Sequence, residues 1–409
     1  MTTTGTVVLD VYVDLAGETV RAGTAYVSER RRSTSTSFTY ADAFLARTDA
    51  YAISPDLPVT VARHQVDGLP GTFADAAPDR WGRNLIEKKV RRRAREGGAL
   101  PAVREVDYLV GVSDLTRQGA LRYTGAGDDL FLAPDPDVPR IVELPRLLRA
   151  ADAVASGDED YAEVKLLLDA GTGSLGGARP KASVRDGGRL LIAKFPHPGD
   201  RWDVMAWEKV VLDLADEAGI RVPRRRLVTV EGRSVLLLER FDRSDRGRVG
   251  YASALSLVGG RDGASYDYLE VAEALATHGA AVGADLRELW LRVLLSVAVN
   301  NTDDHLRNHG FLRAGGGWRL APAFDVNPDP DARAAATSVG FVAEDRAARF
   351  DALLELAPEF GVTAQRAGDE VRVVADVVSR WRDVASVNGI GEAEQRTFAD
   401  VLDGGPQAR

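Results

Sequence analysis

Asn300-Asn301-Thr302-Asp303-Asp304-His305-Leu306-Arg307-Asn308 is the stretch on which the reading of this chain turns. Leu286, Leu289, Trp290, Val293, Leu294 and Val297 step by three and four before it, so an apolar helical stripe delivers the chain to these residues. Asp303 and Asn308 stand five positions apart, with Asp304 one residue off that spacing. An aspartate at the head of such a loop can take the proton of an attacking hydroxyl, and an amide oxygen five residues later can face a metal ion. Further on, Gly310-Phe311-Leu312-Arg313 and Trp318-Arg319-Leu320 flank Gly315-Gly316-Gly317, which predicts a hairpin with a glycine turn. It leads into Ala323-Phe324-Asp325 and so supplies a second acid. Magnesium takes a few oxygen ligands and completes its shell with substrate phosphate, so Asp303, Asn308 and Asp325 form an acid–amide–acid set suited to ATP and Mg2+. Helix caps and Asx-turns would explain any one of these residues alone.

Upstream, Gly171-Thr172-Gly173-Ser174-Leu175-Gly176 fits G-x-G-x-x-G. A dinucleotide fingerprint needs a strand before it and a helix after it. Here a helix-like segment precedes the loop, and Ala182 to Phe195 reads as a hairpin around Asp186-Gly187-Gly188. A phosphate loop of the G-K-S/T type is excluded by Gly177-Ala178-Arg179-Pro180-Lys181-Ala182. The remaining readings are a glycine-rich surface turn and a kinase glycine loop, which leads into a strand lysine. Lys194 shares strand parity with Leu190 and Ile192, so it points to an inward face and needs an anionic partner. Val204, Trp207, Val211 and Leu214 then form a helix stripe that stops at Gly219, with Glu208 at its margin. In the kinase arrangement Glu208 pairs with Lys194; in the plainer one it pairs with Lys209 or Arg201. Val235 to Leu238 reads as a buried strand entering Glu239-Arg240-Phe241, a hinge whose main chain can bond adenine while Phe241 covers the ring. His305 and His309, with Asp303 or Asp304, raise a zinc alternative, but their spacing lacks the glutamate of H-E-x-x-H.

A chain of 409 residues carries two or three domains as its ordinary expectation. Lys+Arg 52 against Asp+Glu 61 leaves a net charge of −9, which argues against nucleic-acid binding through the global field. The absence of cysteine excludes disulfides and thiol catalysis and fits a reducing cytoplasm. Leu289 to Val299, the longest apolar run, contains Arg292 and is too short for a membrane span. The start, Met1 to Asp10, reads as a strand and not as a signal peptide. Residues 6–28 alternate as two strands around Gly17-Glu18, and Arg80 to Arg95 reads as a helix whose basic end is a solvated face. Gly125 to Pro139 looks like a linker, Leu144 to Ala170 is helical with a break at Gly157, and Asp351 to Leu402 has helical periodicity.

Several strings resemble the HipA family of serine/threonine kinase toxins from bacterial toxin–antitoxin systems. They are Gly173-Ser174-Leu175-Gly176-Gly177-Ala178-Arg179-Pro180-Lys181-Ala182, Asn301 through Gly310, and Ala321-Pro322-Ala323-Phe324-Asp325. Leu69-Pro70-Gly71-Thr72-Phe73-Ala74-Asp75-Ala76-Ala77-Pro78-Asp79-Arg80-Trp81-Gly82 resembles that family's N-terminal signature. The resemblance implies an α+β, protein-kinase-like two-lobed fold with an added N-terminal α/β domain and a mainly helical C-lobe. The expected domains are residues 1–155 (N-terminal domain with linker), 156–242 (kinase N-lobe) and 243–405 (C-lobe). Carried over by motif, Asp303 is the catalytic base, Asn308 and Asp325 bind magnesium, and Lys194 contacts nucleotide phosphate. Gly173 and Ser174 belong to the phosphate loop, with Ser174 as an autophosphorylation site. His305 stands where protein kinases usually have lysine, so Arg307 or Lys181 would meet the charge of the transferred phosphoryl. The implied partners are a small helix-turn-helix antitoxin (HipB-like), DNA only through that antitoxin, and a protein substrate of the translation machinery. A small-molecule phosphotransferase and an idle co-repressor are the competing functions.

Overall fold

The structure is a computed structural model that describes residues 5–30, 33–95, 103–133, 138–171, 179–331 and 346–404. It divides into two compact units: Met1–Pro198 with Glu239–Ala252, and Gly199–Leu238 with Ser253–Arg409.

The first unit is built on a five-stranded antiparallel sheet in the order β4-β3-β2-β1-β5. Its strands are β1 (Thr6–Leu15), β2 (Glu18–Arg30), β3 (Ser33–Tyr40), β4 (His64–Asp67) and β5 (Leu121–Gly125). The alternation read from the sequence places Leu9, Val11 and Val13 on the buried face. Ala16 and Gly17 both take positive φ (50° and 93°), the two-residue turn whose twist matches its strands. Around this sheet lie α1 (Asp42–Leu45), α2 (Gly71–Ala76), α3 (Arg80–Arg95) and α4 (Glu105–Gly111). Phe38, Phe73 and Tyr123 meet edge to face, with ring centroids 6.2 and 5.4 Å apart. Asp79 caps α3: its carboxylate accepts the Gly82 N–H at 2.9 Å and its carbonyl the Arg83 N–H at 2.8 Å.

The expected helical break at Gly157 is present. α5 (Leu144–Ser156) ends at Gly157 in the left-handed region, and α6 (Tyr161–Asp169) starts from Asp160 in a reciprocal cap with Glu163. The hairpin β6 (Lys181–Asp186) and β7 (Arg189–Lys194) follows, in register from Lys181↔Lys194 to Asp186↔Arg189.

The second unit contains α7 (Val204–Glu217), the antiparallel hairpin β8 (Arg225–Val230) and β9 (Arg233–Glu239), and a run of helices: α8 (Ala254–Leu257), α9 (Tyr268–His278), α10 (Val282–Ala298), α11 (Arg346–Leu356), α12 (Ala364–Ser379), α13 (Trp381–Val387) and α14 (Glu392–Leu402). β9 ends on Glu239, which belongs to the first unit. Trp207 of α7 stacks on Phe398 at 3.9 Å and donates its indole N–H to Glu394 at 2.8 Å, so the C-terminal helices pack on α7. From Glu288 to Ala298 every residue of α10 is buried. The sequence places Glu208 at the margin of the α7 stripe, whereas it is fully buried: Met205 and Leu212, one turn to either side of it, cluster with Leu236 and Leu238 of β9, so the covered face is wider than the apolar stripe. Among the described residues no helix is long and apolar enough to cross a membrane.

Candidate active site

The segment after α10 is tied down at its start. Asn301 N–H returns to Ser296 C=O at 2.8 Å, and Asn300 takes φ 56°, a left-handed backbone that asparagine tolerates better than most residues. The Asn300 amide donates to the carbonyls of Asp329 (3.0 Å) and Asp331 (3.1 Å), and the Thr302 hydroxyl donates to the Asp329 carboxylate (2.8 Å). Both segments of the site are therefore cross-braced.

Asp303 is then exposed, while Asp304 is buried. One Asp304 oxygen accepts from the Tyr268 hydroxyl, and the other lies 2.9 Å from His309 Nε2. Burial opposes ionisation of Asp304, but the His309 imidazole and the Tyr268 hydroxyl outweigh it and hold the carboxyl below its ordinary range.

Asn308 sits on the single turn Leu306–Asn308 and donates its amide to the Asp303 carbonyl at 3.0 Å. Its Oδ1 is buried and has no hydrogen-bond partner among the described residues. Asp304, Asn308, His309, Phe324 and Asp325 line one cavity. Asp325 takes φ 59°, and its N–H donates to Glu208 Oε1 at 3.2 Å. A strained acid held by a buried glutamate, beside an amide oxygen with an open lone pair, fits a hard divalent cation such as Mg2+. Among the described residues there is no cluster of three or more His, Asp or Glu side chains able to hold a metal, and His309 Nε2 faces Asp304, so the zinc alternative finds no ligand set.

In the first unit, Lys194 ends β7 and is buried, as expected, but Leu191 and Ala193 of the opposite parity are buried too, so both faces of the strand are covered there. Lys181, its register partner, reaches Asp79 at 2.6 Å, and both side chains are buried. This joins the N-terminal signature to the exit of the glycine loop. Gly173 and Ser174 lie outside the described residues. The Glu239 carboxylate is 3.5 Å from Arg189, and Phe241 stacks on Tyr251 at 6.4 Å. In the second unit, Arg307 pairs at 2.7 Å with Asp262 on the surface, and His305 is half-buried. Lys194 lies in the first unit, and Glu208, Asp303, Asn308 and Asp325 lie in the second.

The HipA-like C-terminal domain family model matches residues 173–381, and the HipA N-terminal domain family model matches residues 17–102. The chain belongs to the HipA family. Its fold is similar to that of HipA in the Shewanella oneidensis MR-1 complex of HipA, HipB and operator DNA, at 16% identity and TM-score 0.67, covering 97% of this chain and 95% of that one. A slighter likeness, with TM-score 0.41 and 17% identity over 56% of this chain and 88% of the other, is to the Helicobacter pylori proinflammatory kinase CtkA. No curated protein sequence matches the chain. The HipA-like fold is thus an α+β architecture, as its motifs imply.

Three features of this HipA-family chain escape sequence reasoning. Tyr268 lies 36 residues from the aspartate it binds, and nothing local marks it. Asp79 is visible as part of a signature but not as the partner of Lys181. Arg240 and Asp242 lie within or beside the expected hinge, yet their role is internal: Arg240 donates to the Thr116 carbonyl at 2.5 Å, and Asp242 accepts the Gly119 N–H at 2.8 Å.

Proposed function

We propose that this HipA-family chain is an ATP- and Mg2+-dependent serine/threonine protein kinase acting as the toxin of a toxin–antitoxin module. The observation that carries this reading is an exposed Asp303 whose carbonyl is held by Asn308, while the Asn308 Oδ1 and Asp325 share one cavity. Asn308 and Asp325 would hold Mg2+, which when bound offsets charge on the β- and γ-phosphates. As the acceptor hydroxyl oxygen bonds to the γ-phosphorus, the bond from phosphorus to the β–γ bridging oxygen breaks and ADP leaves. The hydroxyl proton passes to the Asp303 carboxylate.

Lys194 is the phosphate-contacting lysine in this reading. The hinge backbone around Glu239 and Phe241 takes the adenine, and Gly173 and Ser174 cover the phosphates. His305 and Arg307 lie close in sequence to Asp303 and supply positive or polar character near the transferred group. Autophosphorylation of Ser174 would place a dianion inside a phosphate cradle and so repel ATP. The Shewanella HipA was solved with HipB and operator DNA, which supports a HipB-like helix-turn-helix partner here. A net charge of −9 supports the reading that the partner makes the DNA phosphate contacts. The substrate would be a protein of the translation machinery in the cytoplasm.

The test is incubation with γ-labelled ATP and Mg2+, followed by peptide mapping. Label on Ser174 that disappears in Asp303→Ala is expected; equal labelling in that variant would overturn the assignment. Expression without the partner should arrest growth, and Asp325→Ala should relieve the arrest.

A further inference from the structure

The catalytic loop holds two adjacent aspartates in opposite surroundings, and spacing alone does not say why the first should face the substrate. We infer that Tyr268, Asp304 and His309 form a clamp of positioning residues that aims Asp303 at the acceptor hydroxyl. The inference rests on the reading of Asp303 as the proton acceptor.

Asp304 is 3% exposed, whereas Asp303 is open to solvent. Both Asp304 oxygens are engaged, one by the Tyr268 hydroxyl from α9 and one by His309 Nε2 at 2.9 Å. Tyr268 lies outside the loop, and His309, at the loop's end, is anchored to α8. Tyr268 is the first residue of α9, whose start is capped by Asp267. The His309 carbonyl accepts the Ala254 N–H at 2.7 Å, and its ring lies edge-on to Tyr268 with centroids 5.8 Å apart.

The peptide joining the two aspartates is held as well, because its carbonyl, that of Asp303, accepts the Asn308 amide at 3.0 Å. Both the peptide and the following side chain are therefore fixed. On either side of that held peptide, Asp304 is buried and Asp303 is exposed. Rotating the loop to exchange them would strip two hydrogen bonds from a buried carboxylate, a costly change. The clamp also separates the two acids by place: Asp304 is buried among internal donors, and Asp303 is at the surface, where an acceptor from outside can reach it.

The experiment is steady-state Mg-ATP turnover with water as acceptor, measured on the full chain alongside ATP affinity and thermal unfolding. Tyr268→Phe keeps the ring and removes one hydroxyl. It should lower kcat roughly tenfold with KM for ATP unchanged, since small misplacement of a catalytic group is expensive. His309→Leu should behave alike, and His309→Gln, which keeps an N–H for Asp304, should recover much of the loss. Equal kcat in wild type, Tyr268→Phe and His309→Leu, with turnover still abolished by Asp303→Ala, would overturn the clamp alone. A fall in kcat matched by a proportional rise in KM or a lost unfolding transition would also overturn it, marking a structural role. Turnover retained in Asp303→Ala would overturn the underlying kinase reading instead.

Discussion

Residues 239–243, expected as a hinge, and residues 300–309, proposed as the catalytic loop, both bury charged or polar side chains, but they treat them differently. At the hinge, Arg240 meets Asp242 through bonds of 2.8 and 2.5 Å and also reaches the carbonyls of Thr116 and Arg117. Asp242 further accepts from Gly119 and Arg243 at 2.8 and 2.9 Å. Burial opposes its ionisation, yet Arg240 and Arg243 hold it far below the ordinary carboxylate range. In the catalytic loop, Asn308 Oδ1 and His309 Nδ1 are buried with no hydrogen-bond partner among the described residues. An unsatisfied buried polar atom costs about 1–3 kcal/mol, so its persistence beside Asp303 calls for an explanation that the saturated hinge does not. A saturated cluster sets position. An unsaturated one is ready for a ligand.

The contrast is broken most directly by Asp303→Ala, which should cut phosphoryl transfer by about 10²–10⁴-fold while leaving the unfolding midpoint in place, because the side chain is exposed. Asp242→Ala should do the reverse. It leaves Arg240 charged and buried, so denaturant unfolding should show a loss of about 3–5 kcal/mol. The pH dependence sharpens this. Asp242 has a depressed pKa in the folded state, so its contribution is present above the ordinary value of 3.8 and is lost as pH falls below it. The stability gap between wild type and Asp242→Asn should therefore shrink as pH drops beneath that value in an acid-unfolding series.

Lys181→Met decides between two roles for that lysine. Its buried pairing with Asp79 at 2.6 Å predicts a stability loss of about 3 kcal/mol with little change in KM for ATP. A raised KM at unchanged stability would instead make it a phosphate contact. The smallest effect is expected at Arg382 and Asp403, paired at the surface with about half of each side chain exposed. Arg382→Ala should shift stability by about 0–1 kcal/mol, and less in high salt.

Much of the fold was legible because its signals are local. Strand alternation marks β1 and β2, glycine marks the end of α5, and the stripe from Leu286 to Val297 marks α10. The turn and hairpin that space Asp303, Asn308 and Asp325 were legible for the same reason, since they are short stretches of chain. Glu208 was half legible. Its helix could be read, but its complete burial and its bond to the Asp325 backbone, 117 residues away, could not. Asp304 was seen only as the wrong spacing, because its partner Tyr268 sits on another helix.

By itself, then, the sequence determined which residue types stand at which intervals, and so an acid–amide–acid set after a helix and beside a hairpin. Only the tertiary structure decided which of two adjacent aspartates faces out, that Lys181 answers Asp79, and that Glu208 holds the backbone of Asp325. The physical reason is burial: a carboxylate's orientation is fixed by donors that reach it through space, and those donors come from segments with no fixed distance along the chain.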